Sequence, residues 1–129
     1  MSEAIARYDE STIMSFEQTD FESKKRIYNA LNKADAGLKE MLNREINLVD
    51  VAVVGTIRTN PETGEVVQLH RSVLFDRNGN TYVSMSEGVY NSLKRISEIF
   101  GTLHFDSPLV IIPREIKTKN GFTIVLEVV

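Results

Sequence analysis

The chain has 129 residues, of which 42% are hydrophobic and 26% are charged, a composition typical of one globular domain with a hydrophobic core. It contains no cysteine, which excludes disulfides and thiolate metal sites, and no apolar run approaches the roughly 20 residues that span a bilayer. The net charge of −3 excludes a surface coated in positive charge, so a site for a polyanion must come from a local arrangement of cations.

An N-terminal arm and a helix are the first predicted elements. Residues 1–19 mix Ser, Thr, Asp and Glu without sustained periodicity, which predicts a flexible arm ahead of a single domain over residues 20–129. The arm has no apolar stretch of the signal-peptide kind, so we expect a cytoplasmic protein with no membrane partner. Asp20 is a predicted helix N-cap, and Gly37 is expected to end or kink the helix. The apolar residues at helical spacing after this cap are Ile27, Leu31, Ala34 and Leu38.

Three strands follow, separated by turns rich in Asn, Pro and Gly. The first is centred on the alternating residues 49–57, and Gly55 within it predicts a bulge or bend. The second is predicted at Glu65–Asp76, where Arg71 interrupts the apolar face and predicts a shift of register. An Asn-Gly hairpin signal then leads to a short third strand at Thr81–Met85.

A second helix has the clearest end signals in the chain. Ser84 and Glu87 have the spacing of a capping box, with Ser86 as an alternative cap, and Gly101 is a predicted C-terminal stop. Its apolar stripe consists of Val89, Leu93, Ile96 and Phe100.

The last two predicted strands form a hairpin. Leu109–Lys117 is the fourth strand, in which Pro113 requires an edge or bulge position because it has no N–H. Lys119-Asn120-Gly121 is a turn. The alternating apolar residues of the fifth strand are Phe122, Ile124, Leu126 and Val128.

The order of these elements predicts the fold class. A helix, three strands, a helix and two strands is the order of an OB-fold preceded by one extra helix, although other five-stranded α+β folds share this order. We therefore predict a mainly β protein, an OB-fold-like β-barrel of five strands, with an N-terminal helix and a second helix between strands three and four.

The residues that carry catalysis or bind metals are sparse. His70 and His104 are far apart in the chain, and His104 with Asp106 supplies only two of the three or four ligands that zinc needs. There is no nucleophile elbow and no Gly-rich phosphate loop. We predict neither an enzyme nor a catalytic residue, and no metal site or cofactor.

A β-barrel binds single-stranded nucleic acid with cations that track phosphates and flat side chains that stack on bases. Candidates of both kinds lie on the predicted strands and beside the hairpin turns that an OB-fold uses. We expect Tyr82 to stack on a base, although it can equally belong to the barrel wall, as Phe122 can belong to the core. The predicted DNA-binding residues are Arg58, His70, Arg71, Tyr82, Arg114, Lys117, Lys119 and Phe122.

One segment resembles a known family. Residues 72–93, SVLFDRNGNTYVSMSEGVYNSL, with the following Lys94-Arg95-Ile96 and Ile99-Phe100-Gly101, resemble small single-stranded DNA-binding proteins of phages and mobile elements of Gram-positive bacteria. Residues 59–65, TNPETGE, are also typical of that family. The resemblance implies that the protein binds and protects single strands in replication or recombination, largely independently of sequence.

Two other functions stay open at this stage. The negative charge and the acidic arm favour a protein-interaction module, such as a phage-encoded replication accessory factor or an inhibitor of a host protein. A structural virion component would instead self-assemble. For the DNA-binding reading, the expected partners are single-stranded DNA, replication or recombination proteins and further copies of the chain, in the cytoplasm of a bacterial host.

Overall fold

The computed structural model describes residues 13–16 and 20–129, apart from the side chains of Thr56 and Arg58. The rest of the predicted N-terminal arm lies outside the described residues. In chain order the described elements are β1 (Ile13–Met14), α1 (Phe21–Asn32), β2 (Ala36–Gly37), a 3-10 helix (Leu38–Met41), β3 (Ile46–Thr59), β4 (Val66–Asp76), β5 (Thr81–Ser84), α2 (Glu87–Phe100), β6 (Leu109–Thr118) and β7 (Gly121–Val128).

All of these strands belong to one sheet that curls into a half-barrel. Its order is β2-β5-β4-β3-β6-β7, and β1 pairs with β3 beside β6. The five long strands therefore form an antiparallel meander, β3-β4-β5, to which the hairpin β6-β7 is added at the start of β3. This confirms the predicted OB-fold-like, mainly β class, with α2 between the third and fourth long strands. The two-residue strands β1 and β2 were not predicted.

The core has two parts, one on each face of the sheet. The inner face packs on α2, where Leu74 of β4 and Leu93 of the helix belong to one buried cluster. The outer face packs under α1, where Ala30 of the helix meets Val73 and Phe75. Because successive residues of a strand point to opposite faces, β4 supplies side chains to both clusters. The middle of the sheet is thus covered on both sides.

The irregular point of the sheet is not where the sequence places it. No bulge occurs at Gly55 and no shift at Arg71, because β3 and β4 pair in continuous register from Asp50 to Thr59. The register shifts instead between Leu48 and Asp50, beside the point at which β6 joins β3. The predicted bulge at Gly55 and the predicted shift at Arg71 were therefore wrong, since a long antiparallel pair tolerates glycine and arginine when the neighbouring packing allows it.

The first helix begins as predicted but is shorter. The carboxylate of Asp20 accepts a hydrogen bond of 2.8 Å from the backbone N–H of Ser23, which confirms the N-cap and lowers the pKa of Asp20. The helix ends at Asn32, so the predicted continuation through Ala34 and Leu38 is wrong. The chain leaves the helical path there because β2 pairs in parallel with β5.

The second helix begins at the alternative cap. Ser86 is the N-cap, and the hydroxyl of Ser84 accepts a hydrogen bond from its backbone N–H at 3.1 Å. The predicted capping box between Ser84 and Glu87 does not form, because the Glu87 carboxylate contacts His70 instead. Gly101 ends the helix with a φ of 78°, as predicted.

Pro113 has the edge position that its missing N–H requires. It lies in β6 beyond the last residue that pairs with β3, and opposite Leu126 of β7. Its carbonyl accepts a hydrogen bond of 2.8 Å from the backbone N–H of Asn43 and so points away from β7. Because the nitrogen and carbonyl of one residue in an antiparallel strand point to the same side, the ring nitrogen of Pro113 also points away from β7. No ladder hydrogen bond is lost.

Candidate nucleic-acid interface

Two hairpins project from opposite ends of β3. The first hairpin, residues 57–68, is the far end of the β3-β4 pair and is exposed wherever its side chains are described. The second hairpin, residues 114–123, is the far end of the β6-β7 pair. Since β6 is antiparallel to β3 and pairs only with Ile46–Leu48, it carries the second hairpin away from the first. Both hairpins are therefore accessible to a ligand from several sides.

The second hairpin places a cation beside an aromatic ring. Lys117 and Phe122 lie directly opposite each other in β6 and β7. Opposed residues of an antiparallel pair point to the same face, with Cβ atoms about 4.5–5.5 Å apart. This face continues the inner face of the sheet, because Pro113 and Leu126 are an opposed pair in the same alternation. Phe122 is 68% exposed, so its ring is open to solvent and not part of the core.

The remaining cations of the second hairpin differ in their surroundings. Lys119 lies in the two-residue turn and, like Lys117, is exposed and forms no ion pair within the described part of the chain. Arg114 lies at the base, where its Nε donates to Glu127 at 2.7 Å and its Nη1 donates to Asn43 at 2.9 Å. Arg114 therefore fixes the base of the hairpin, while neither lysine is paired with a described carboxylate.

Helix α2 holds the outer edge of β7 in place. The hydroxyls of Ser86 and Ser92 accept hydrogen bonds from the backbone N–H groups of Ile124 and Leu126, at 3.2 and 3.1 Å. A Cβ on Gly88 would collide with the carbonyl of Ile124, so the close approach of helix and strand requires glycine here. The second hairpin thus extends from an anchored strand.

His70 and Arg71 lie on opposite faces of β4, and both are engaged by helices. His70 is 6% exposed, its ring stacks on Tyr90 at a centroid distance of 3.6 Å, and its Nδ1 lies 2.9 Å from a carboxylate oxygen of Glu87. Arg71 donates from Nε to the carbonyl of Leu31 in the last turn of α1, at 2.6 Å. Contact of either residue with DNA stays a prediction, which these positions do not favour.

Tyr82 belongs to the inner cluster of the core. It is 8% exposed, and its hydroxyl donates to a carboxylate oxygen of Asp76 at 3.3 Å. Burial, and secondarily the nearby charge of Asp76, raises the pKa of Tyr82 above its usual value. A role in stacking on bases stays a prediction, although its ring has no open face of the kind that Phe122 has.

The first hairpin carries Arg58, whose side chain lies outside the described part of the structure. The backbone of Arg58 is in β3, opposite Val67. Nearby exposed side chains include Ile57, which is 69% exposed, and the carboxylates of Glu62 and Glu65. The first hairpin is therefore more acidic and more aliphatic than the second.

Both histidines contact carboxylates. His104 contacts Asp50 at 2.8 Å and Asp106 at 3.0 Å, and His70 contacts Glu87 at a separate place in the fold. Within residues 13–16 and 20–129, no group of three or more His, Asp or Glu side chains is arranged to hold a metal ion. No helix in the same ranges is long and apolar enough to cross a membrane.

Besides Phe100, which is 48% exposed on α2, two exposed aromatic residues of the described structure lie outside the predicted set. Phe21 and Tyr28 are 73% and 68% exposed on α1. The sequence could have indicated them, because they are two helical turns apart and lie off the apolar stripe that faces the sheet.

Comparison with protein families yields a match to most of the chain. The model of the Phi29 phage family, described as phage single-stranded DNA-binding protein, matches residues 7–128. No curated protein matches the chain, and no solved structure matches it.

Proposed function

The chain belongs to the phage single-stranded DNA-binding protein family, whose members bind single-stranded DNA, and we propose that it holds the strand on the second hairpin. The observation that carries this proposal is the opposed pair of Lys117 and the exposed Phe122. A lysine directly opposite an open aromatic ring offers a phosphate contact and a base-stacking surface on the same face of the hairpin.

Charge supports the second hairpin as the main contact. Residues 114–123 contain three basic side chains and one acidic side chain, although the whole chain has a net charge of −3. Lys117 and Lys119 attract the phosphates, and Arg114 adds to the field from the base. Because such binding releases counterions, its affinity falls as salt rises.

The mode of binding follows from these groups. Stacking on Phe122 and contacts to phosphate do not distinguish one base from another, so binding is largely independent of sequence. Single strands exposed during replication or recombination, in the cytoplasm of a bacterial host, are the proposed substrate. The family is one of DNA-binding proteins and not of enzymes, and we propose no catalytic role or cofactor.

The other predicted contacts and partners have less support. His70, Arg71 and Tyr82 are engaged within the fold, and Arg58 lies on the less basic hairpin. Assembly into a homo-oligomer, and association with replication or recombination proteins, remain proposals that sedimentation and pull-down experiments address. Family membership does not favour the alternative of a module that binds only proteins.

A triple variant tests the proposed site. Labelled oligo-dT, duplex DNA and RNA of equal length are titrated with the protein across a salt series, and binding is followed by fluorescence anisotropy. The intact protein is expected to bind oligo-dT much more strongly than duplex, and the variant Lys117→Ala/Lys119→Ala/Phe122→Ala is expected to lose most of this affinity.

The matched control changes the same residue types on α2. Lys94 is exposed and Phe100 is 48% exposed, and Lys94→Ala/Phe100→Ala is expected to bind as the intact protein does. Circular dichroism and thermal melting are used to check that both variants fold. If the folded triple variant binds oligo-dT as well as the control does, the strand does not bind at the second hairpin.

A further inference from the structure

The outward side of α1 carries two aromatic rings that no described residue covers. Phe21 is 73% exposed and Tyr28 is 68% exposed, whereas Ala30 on the other side of the helix is buried against the sheet. At 100° per residue, Phe21, Lys25, Tyr28 and Asn32 form a stripe on the side of the helix opposite Ala30. Phe21 and Tyr28 are two turns apart, about 10.5 Å along the axis at 1.5 Å per residue.

Cations accompany these rings. The Nζ of Lys25 lies 5.3 Å from the centroid of the Phe21 ring, and Lys24 is exposed one turn before Tyr28. One carboxylate competes for this charge, since Glu22 lies 3.6 Å from Lys25 in a pair exposed on both sides. Such exposed pairs are weak, so a phosphate can displace Glu22.

The charge balance of α1 is opposite to that of the chain. Residues 20–33 carry four basic and two acidic side chains, while the chain as a whole has a net charge of −3. One of the two acidic side chains, Asp20, is held by the N-cap hydrogen bond. The helix therefore presents net positive charge together with uncovered rings.

We infer that this face of α1, defined by Phe21, Lys24, Lys25 and Tyr28, is a second contact surface for single-stranded DNA. Exposed aromatic side chains interleaved with cations suit a ligand that has both base faces and phosphates. A purely apolar partner would leave the lysines unpaired, and a duplex would offer phosphates without accessible base faces. The inference rests on the binding of single-stranded DNA by this family, and it does not depend on the second hairpin.

The α1 surface is separate from the second hairpin. Helix α1 packs on the outer face of the sheet, through Val73 and Phe75, whereas Lys117 and Phe122 continue the inner face. A strand that reaches both surfaces must pass around the sheet. A short oligonucleotide is therefore expected to occupy one surface, and a longer one to gain affinity by reaching both.

Tryptophan reporters test the two surfaces independently. The chain has no tryptophan, so Tyr28→Trp and Phe122→Trp each introduce a sole reporter, and Phe100→Trp on α2 is the matched control. Saturating oligo-dT is expected to quench the emission of Tyr28→Trp, because stacked bases contact the ring, and to leave that of Phe100→Trp unchanged. Anisotropy of labelled oligo-dT shows saturation in each case.

A second measurement uses loss of the rings. The variant Phe21→Ala/Tyr28→Ala is expected to bind long oligo-dT about tenfold more weakly for each base that loses its stacking surface. Phe100→Ala is the control. Unchanged emission of Tyr28→Trp at saturation, or an unchanged affinity of the folded double variant, overturns the inference.

The reporters also separate this inference from the proposed function. Quenching of Phe122→Trp without quenching of Tyr28→Trp refutes the α1 surface and keeps the hairpin site. The reverse result supports α1 and refutes the hairpin site. If the double variant loses self-association in sedimentation but keeps its DNA affinity, α1 is an interface between copies, and the inference is wrong.

Discussion

The first and second hairpins are similar in backbone architecture and different in charge. Each is an exposed antiparallel ribbon, closed by residues 60–65 in the first and by residues 119–120 in the second, and they leave opposite ends of β3. Residues 57–68 contain one basic and two acidic side chains, whereas residues 114–123 contain three basic side chains and one acidic side chain. The exposed apolar residues of the first hairpin include Ile57 and Val66, and the second presents the ring of Phe122.

This difference shows that an OB-like scaffold alone does not identify a binding surface. Both hairpins occupy positions that such folds use for nucleic acid, but only one combines free cations with an aromatic face. The bases of the hairpins differ as well. Arg114 and the serine hydroxyls of α2 brace the second, and the stack of His70 on Tyr90 braces the first.

The largest expected effect comes from removing the aromatic ring. Phe122→Ala is expected to weaken binding to oligo-dT by about 1–3 kcal/mol, because one base loses its stacking surface. Ile57→Ala removes a similarly exposed apolar side chain from the first hairpin and is expected to leave the affinity unchanged. Fluorescence anisotropy measures both variants, and equal losses would erase the distinction between the hairpins.

The lysines are expected to have the next largest effect, seen best in the salt dependence. Lys117→Ala/Lys119→Ala removes two phosphate contacts, so the slope of log affinity against log salt is expected to become shallower by about 1.4, at about 0.7 per contact. The control Glu62→Ala/Glu65→Ala in the first hairpin is expected to leave the slope as it is. An unchanged slope for the lysine variant would mean that neither lysine neutralises a phosphate.

Arg114 is expected to contribute less than either lysine. Its guanidinium already pairs with Glu127 at 2.7 Å, with both side chains about half exposed. Arg114→Ala is expected to lower the free energy of unfolding by at most about 1 kcal/mol, as exposed pairs do. Urea denaturation of Arg114→Ala, Glu127→Ala and the double variant gives the coupling energy. The salt dependence of oligo-dT affinity is measured for Arg114→Ala, Lys117→Ala and Lys119→Ala. If Arg114→Ala changes the slope more than either single lysine variant does, Arg114 binds phosphate directly.

The buried ring of Tyr82 is a contrast to the exposed ring of Phe122, and a change at Tyr82 is expected to have no effect on DNA binding. Tyr82→Phe keeps the ring in the core, so its affinity for oligo-dT is expected to equal that of the intact protein. Weaker binding by this variant would show that the hydroxyl of Tyr82 contributes to the interface after all.

Burial of the Tyr82 hydroxyl is expected to make the stability of the protein depend on pH. Its pKa is raised above 10.0 in the folded protein, mainly by burial, and returns to about that value on unfolding. The stabilisation is therefore complete below about pH 10 and is lost as pH rises through the folded pKa. Urea denaturation along an alkaline pH series is expected to show a steeper loss of stability for the intact protein than for Tyr82→Phe. Parallel curves would contradict the burial of an unionised phenol.

Much of the fold could be predicted because its signals are local. Alternation over residues 49–57, the N-cap at Asp20 and the stop at Gly101 each depend on neighbours in the chain. The shift of register beside Leu48 could not be predicted, since it depends on where β6 joins β3. The same is true of β2, which exists only because β5 is next to it.

The candidate site residues likewise divide into those that local sequence could predict and those that depend on distant parts of the chain. Lys117, Lys119 and Phe122 lie near a turn at the end of a hairpin, and such positions are exposed whatever the rest of the chain does. His70 and Arg71 have equally polar side chains, but both are engaged within the fold. The difference lies in the helices that cover their strand, which are distant in sequence.

The sequence by itself determined the order of elements, the turns and the family, because period, capping residues and turn residues act over a few neighbouring positions. It also determined which residues of a strand share a face, through strict alternation. Only the tertiary structure decided which faces stay open. Both faces of β4 are covered from His70 to Asp76, by α1 and α2, while Phe122 and the outward side of α1 remain exposed. Exposure depends on what packs from elsewhere in the chain, and no local pattern encodes it.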